Sequence, residues 1–376
     1  MNVFLTMNNS ALLHIVERLE GFLGKLPESI QKPVLKELTP LKELFLQQRP
    51  PRFVLTGSDP IPLLDFVARI FTDEGAESPA REILTGLYRW QKVMLGARGS
   101  IQLLDARGAD EAALALVREE LRDQPADLFF FLPAEPANKR ATGREIQNLE
   151  KMIAWNSGSK HAAKVLELRP DGSQTPGSLE QAAVAPGIRA ALLGFHSLGK
   201  TLRTTLASQL PNEARVELVR SGGDRQAQTE IAELLVKSTS AICAAIGAQP
   251  IPLADLPVLT TLQLVMVSGI MYISGRERSL RAATEFIGAI GANVGLGMIL
   301  REGARAALKF FPGWGNLVCG MVAGAGTFAI GRAANVYFIE GATLRDARRA
   351  FVQSKKKSIP LPGKKPRALP APTSKP

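Results

Sequence analysis

Cysteine and histidine are scarce in this chain: Cys243 and Cys319 lie far apart, and His14, His161 and His196 form no ligand spacing with them or with one another. A zinc site needs clustered thiolates and imidazoles, and a disulfide framework needs a paired set of cysteines, so neither is expected. No nucleophile elbow, paired-acid site or Cys/His arrangement stands out, which argues against hydrolases of those classes. The first residues, MNVFLTMNNSALLHIVERLEGFL, lack a basic start, a sustained apolar run and a small-residue cleavage site. They do not read as a secretory signal, and a cytoplasmic amino-terminal part is expected.

What is there is the composition of a folded protein, 45% hydrophobic and 22% charged over 376 residues, long enough for two domains. The net charge of +11 is unevenly spread. Residues 345–376 hold ten Lys or Arg against one acid, Asp346, so nine of the eleven net charges lie there. A basic patch at one end of a chain suits anionic lipid, nucleic acid or an acidic partner; it would serve equally as a solvated tail.

Along the chain, residues 10–48 show apolar residues at helical spacing interrupted by Pro27, Pro33 and Pro40, which predicts two or three short amphipathic helices. After Arg49-Pro50-Pro51-Arg52, the run Phe53-Val54-Leu55-Thr56-Gly57 predicts a buried strand, and a helix is expected from about Leu63 to Phe71. The runs Trp90–Leu95 and Ser100–Leu104 flank Gly96-Ala97-Arg98-Gly99, a hairpin signal. Further strands are expected at Asp127–Leu132, Ala163–Leu168 and Ile188–Leu193, with helices at Glu111–Leu121, Glu145–Trp155 and Thr201–Leu210. Strands alternating with helices imply a mainly parallel sheet covered on both faces. From about Pro211 the strand signals end, and a separate helical domain is expected. Past Lys355, six prolines and clustered lysines predict disorder.

Two segments bear on phosphate chemistry. Asp105-Ala106-Arg107-Gly108 ends an apolar strand and fits Asp-x-x-Gly, in which the acid holds magnesium directly or through water and the glycine N–H senses a γ phosphate. The same four residues also make an ordinary strand-ending turn. Where a phosphate loop would stand, the chain has Gly57-Ser58-Asp59-Pro60-Ile61-Pro62-Leu63-Leu64. The second glycine, the lysine that reaches the β and γ phosphates and the magnesium-binding hydroxyl are missing, and proline has no N–H with which to cradle an anion.

In order and spacing, residues 49–211 resemble bacterial Era-like GTPases, whose G domain follows a short helical lead. That family usually has Asp-Thr-Pro-Gly at the second motif, so Ala106 and Arg107 depart from it. The guanine-specificity motif Asn-Lys-x-Asp would fall on Leu168-Arg169-Pro170-Asp171, which keeps the aspartate and loses the asparagine. The resemblance implies a three-layer α/β P-loop GTPase-like domain with vestigial nucleotide contacts at Gly57, Asp105, Gly108 and Asp171, without a working catalytic set or bound cofactor. An alternative is Gly194-Phe195-His196-Ser197-Leu198-Gly199-Lys200-Thr201, a full match to Gly-x-x-x-x-Gly-Lys-[Ser/Thr]. There Gly194 and Gly199 would shape the loop, Lys200 would meet phosphate, Thr201 would meet magnesium, and the ligands would be GTP or ATP with Mg. No strand ending in a magnesium-binding acid follows it, and a phosphate loop normally opens a sheet.

The helical part resembles the YcjF-type domain of unknown function 697. The resemblance rests on residues 241–263, on Phe311-Pro312-Gly313-Trp314-Gly315, and on Gly326-Thr327-Phe328-Ala329-Ile330-Gly331 with Tyr337-Phe338. It implies a domain that follows a G domain and is often assigned to membranes. Asp255 is expected to cap a helix. Gly291 with Gly295 and Gly320 with Gly324 have the spacing that lets helices approach closely. The uncharged stretches 256–275 and 310–331 are long enough to cross a bilayer core. The segment between them carries six Lys or Arg against three acids, which opposes a simple two-span hairpin.

The expected organisation is therefore amphipathic helices at 1–48, a degenerate GTPase-like domain at 49–211, a helical domain at 212–342 and a basic tail at 343–376. The expected role is that of a pseudo-GTPase acting as a membrane-associated regulatory or scaffolding protein. Its G-like domain would be cytoplasmic at the inner membrane, or the whole protein cytoplasmic. An active NTPase using Gly194–Thr201, or a structural membrane protein with a lipid-binding tail, are the alternatives. Anionic lipid and a protein partner are the expected contacts; no specific nucleic acid is.

Overall fold

The computed structural model describes residues 28–45, 48–58, 61–71, 88–95, 99–133, 139–156, 164–169, 189–194, 206–248, 255–291 and 315–358. Its first element is α1, Glu28–Phe45, a single helix that passes through both Pro33 and Pro40 rather than breaking at them. Each proline removes one helical N–H. Burial of Val34, Leu38 and Leu44 along one stripe outweighs that loss.

Six strands form the sheet: β1 (Arg52–Gly57), β2 (Trp90–Leu95), β3 (Gly99–Asp105), β4 (Leu128–Leu132), β5 (Lys164–Arg169) and β6 (Arg189–Gly194). Their order is β2-β3-β1-β4-β5-β6. β2 pairs antiparallel with β3 across the expected hairpin, and all other neighbours are parallel. Phe53 and Leu55, with Phe130, Leu132, Leu166 and Leu168, point to one face. Val54, Phe129, Phe131 and Val165 point to the other. Burial on both faces is why these strands read as continuous apolar runs.

Helix α2 (Leu63–Phe71) covers the first face, where Phe53 meets Phe71 at 5.4 Å and Phe66 meets Phe130 edge-on at 5.3 Å. Helices α3 (Glu111–Asp123) and α4 (Lys139–Trp155) cover the second. Asp110 caps α3 by accepting from the Ala113 N–H at 2.8 Å. Below the sheet, Arg49 donates to both carboxylate oxygens of Asp127, at 2.7 and 2.6 Å. Burial works against the Arg49 charge, but the bond to Asp127 and its field prevail, and the guanidinium pKa is raised.

Among the described residues, every element after β6 is helical: α5 (Asn212–Gly222), α6 (Arg225–Gly247), α7 (Asp255–Ile273), α8 (Leu280–Gly291), α9 (Gly315–Ala334) and α10 (Leu344–Ser358). Gly223, at φ +62°, ends α5, and Asp224 at once caps α6 by accepting from the Gln226 N–H. Helix α9 lies so close to α6 that a Cβ on Gly320 would sit 2.6 Å from the Ala244 carbonyl oxygen, and one on Gly324 would sit 2.8 Å from Ala244 Cβ. The small-residue spacing thus serves close helix packing. Helix α9 continues as a π-turn, Asn335–Ile339, before α10.

The cluster on the α2 face does not stop at the sheet. It runs on through Leu218, Leu235, Ile270, Phe286, Ile330 and Phe351, one from each of α5 to α10. A polar junction reinforces it: Gln48 and the Tyr272 hydroxyl both donate to Glu217, and the Arg220 and Arg278 guanidiniums lie 4.0 and 4.3 Å from the Tyr272 ring centre. Burial, followed by the neighbouring Glu217, pushes the Tyr272 phenol up, and burial pulls Arg278 down. Among the described residues, no helix is long and apolar enough to cross a membrane.

Candidate functional site

In an open parallel sheet the ligand crevice lies beyond the carboxyl ends of the strands, where successive connections leave for opposite faces. Here that point falls between β1 and β3. The chain after β1 turns to α2 on one face, and the chain after β3 turns to α3 on the other. Gly57, Asp105 and Gly108, three of the four nucleotide contacts that the resemblance implies, come together at this place.

Gly57 is fixed there by its backbone. Its φ is +103°, and a Cβ would lie 1.9 Å from the Leu132 carbonyl oxygen, so only glycine fits against β4. Its own carbonyl accepts the Gly108 N–H at 2.9 Å. The amide that would sense a phosphate in the implied family therefore already has a partner within the chain.

Arg107 stands at the same place. Its Nε donates to Asp105 Oδ1 at 2.8 Å and its Nη2 to Oδ2 at 2.6 Å, a bidentate pair. Its Nη1 reaches across to the Ile61 carbonyl at 2.6 Å, joining the chain after β3 to the chain before α2. The Arg107 and Asp105 side chains are only 12% and 13% exposed. A turn that puts an arginine two residues after a strand-ending aspartate makes this geometry possible. The Arg107 N–H donates to the same Oδ1 at 3.2 Å and holds the turn.

A second carboxylate, Glu145 of α4, stands at the end of β1. It is 8% exposed, its Oε1 accepts from the Ser58 hydroxyl, and its Oε2 is buried with no hydrogen-bond partner. Asn148, one turn further along α4, ties that helix to the β3–α3 connection through the Ala109 carbonyl at 3.2 Å.

These residues do not suit a magnesium nucleotide. The carboxylate that would hold the metal is bound at both oxygens by a guanidinium, and a buried acid beside Ser58 would repel a phosphate. Among the described residues, no group of three or more His, Cys, Asp or Glu is placed to hold a metal ion. Sequence reasoning placed Gly57, Asp105 and Gly108. It treated Arg107 only as a departure from a motif and missed Ser58 and Glu145, since nothing local marks an acid on a distant helix.

Of the other expected contacts, Asp171, Gly199, Lys200 and Thr201 lie outside the described residues. Gly194 ends β6, the edge strand, three strand spacings or about 14 Å from β1. The chain matches no protein-family model and no curated protein sequence.

Proposed function

We propose that this chain is a degenerate P-loop GTPase-like protein that acts through protein contacts, as a membrane-associated regulatory or scaffolding protein, rather than by hydrolysing nucleotide. A mostly parallel sheet with helices on both faces, one antiparallel edge strand and a crevice beside Gly57 and Asp105 support the architecture. The observation that carries the reading is the Asp105–Arg107–Ile61 bridge. In a working enzyme, metal and phosphate hold the two loops of the crevice together. Here a side chain of the protein performs that closure, so the closed arrangement needs no ligand.

The helical part supports membrane association by its composition. Helix α7 carries no charge after Asp255, α9 carries only Arg332, and a strongly basic segment follows them.

Equilibrium titration of the full chain with a fluorescent GTP analogue and Mg²⁺ tests the nucleotide half of the proposal. No saturable binding is expected. Stoichiometric binding abolished by Asp105→Ala would overturn it, and binding abolished by Lys200→Ala instead would transfer the activity to Gly194–Thr201.

A further inference from the structure

We infer that the outward face of α10 is a docking surface for an anionic lipid bilayer, an inference that rests on the membrane association proposed above and gives it an address. The inner side of this helix is fastened to the molecule. Ala347 and Phe351 are buried, Leu344 and Val352 pack on the same core, and Arg348 donates from Nε and Nη2 to the Ala289 carbonyl near the end of α8, at 3.0 and 2.8 Å. What remains outside is a stripe of Arg345, Arg349 and Gln353, all exposed.

The charge on this stripe is not explained by the helix itself. Cations favour the last turn of a helix, where they meet the negative end of its dipole, and that accounts for Lys355-Lys356-Lys357. Arg345 belongs to the first turn, where a cation is disfavoured, and Arg349 to the second, too far from the last turn for the dipole to favour it. The one acid of the helix, Asp346, is occupied by the Thr343 hydroxyl at 2.6 Å and by Arg349 at 3.5 Å, an exposed pair that contributes little. Beyond the helix the sequence adds Lys364, Lys365, Arg367 and Lys375 and no acid. A cationic stripe followed in sequence by further cations matches an extended anionic surface.

A bilayer fits this face better than nucleic acid does. The exposed stripe holds no aromatic ring on which a base could stack, and a single amide, Gln353. Helix α10 also turns back along α9 after a short connection and packs against it. On α9 itself Met321 is 42% exposed, and a thioether suits the boundary between headgroups and acyl chains.

Flotation of the full-length protein on phosphatidylcholine vesicles, with and without phosphatidylglycerol, tests the inference. The wild type is expected to float with the anionic vesicles only, less so as salt rises. At about 1 kcal/mol for each cation at such a surface, Arg345→Gln with Arg349→Gln should weaken partition about 30-fold at low salt. Arg122→Gln, at another exposed cation, on α3 across the sheet, should change it less than twofold. Unchanged thermal melting of the double variant confirms that it folds. Equal flotation of the double variant overturns the inference, as does equal flotation on neutral vesicles, or binding of a labelled RNA in place of lipid. Failure to float on either vesicle removes the membrane proposal as well, whereas flotation that ignores α10 removes only this address.

Discussion

At Asp105 and Arg107, two side chains form a bidentate pair at the carboxyl end of the sheet. The acid is visible in the sequence because it ends an apolar strand and is followed by a turn and Gly108. The partner is not, because an arginine two positions on could as easily point to solvent; only the placement of the Ile61 carbonyl gives its guanidinium a third acceptor. Removing Arg107 leaves a largely buried carboxylate without its counter-charge. Arg107→Ala is therefore expected to cost roughly 2–4 kcal/mol, read as a lower urea midpoint with unchanged slope. Asp105→Ala combined with Arg107→Ala should cost clearly less than the two single changes added together. Additive losses would mean that the pair is not coupled.

The seam between α6 and α9 carries the element-scale argument. Both helices are legible as apolar, glycine- and alanine-rich runs, but which glycines face the partner is not, since α9 carries small residues on several sides. Gly320 abuts the Ala244 backbone, while a Cβ on Gly326 would meet nothing within 4 Å. The same substitution should thus have opposite signs within one helix. Gly326→Ala is expected to stabilise by about 0.5–1 kcal/mol through reduced backbone freedom. Gly320→Ala should destabilise by about 1–3 kcal/mol because the two backbones must separate. Thermal melting of the two variants decides it, and equal effects would refute the close approach. Helix α1 makes the converse point. Local proline signals predicted breaks there, and burial of Val34, Leu38 and Leu44 kept one helix.

For the molecule as a whole, the sheet and the helices share one buried cluster, and a smaller one between α1, α6 and α7 holds Cys243. Burial pushes the Cys243 thiol up from about 9 to about 12, against a smaller opposing effect from its hydrogen bond with Thr327. Burial likewise raises the Tyr272 phenol. A raised acid keeps its proton in the fold after the unfolded chain has lost it. The stability it contributes is complete below pH 9 and is lost as pH rises through the folded value. Calorimetry is expected to show a plateau up to about pH 9 and then a decline. Its slope should be about 1.4 kcal/mol per pH unit for the thiol alone, and the Cys243→Ser variant should flatten it. A transition temperature constant to pH 10 would contradict this.

The sequence alone determined the order and kind of the elements in the sheet region, because strands buried on both faces must be continuous apolar runs and their covering helices must alternate with them. It also determined what the crevice lacks, since a missing lysine or hydroxyl is a fact about residue identity. Three things came only from the tertiary structure: Arg107 bridging Asp105 and the Ile61 carbonyl, Glu145 arriving from α4, and the helices of the second half joining the core of the sheet. Each depends on contacts between residues far apart in the chain, or on where a long side chain finds an acceptor. Local pattern carries no information about either.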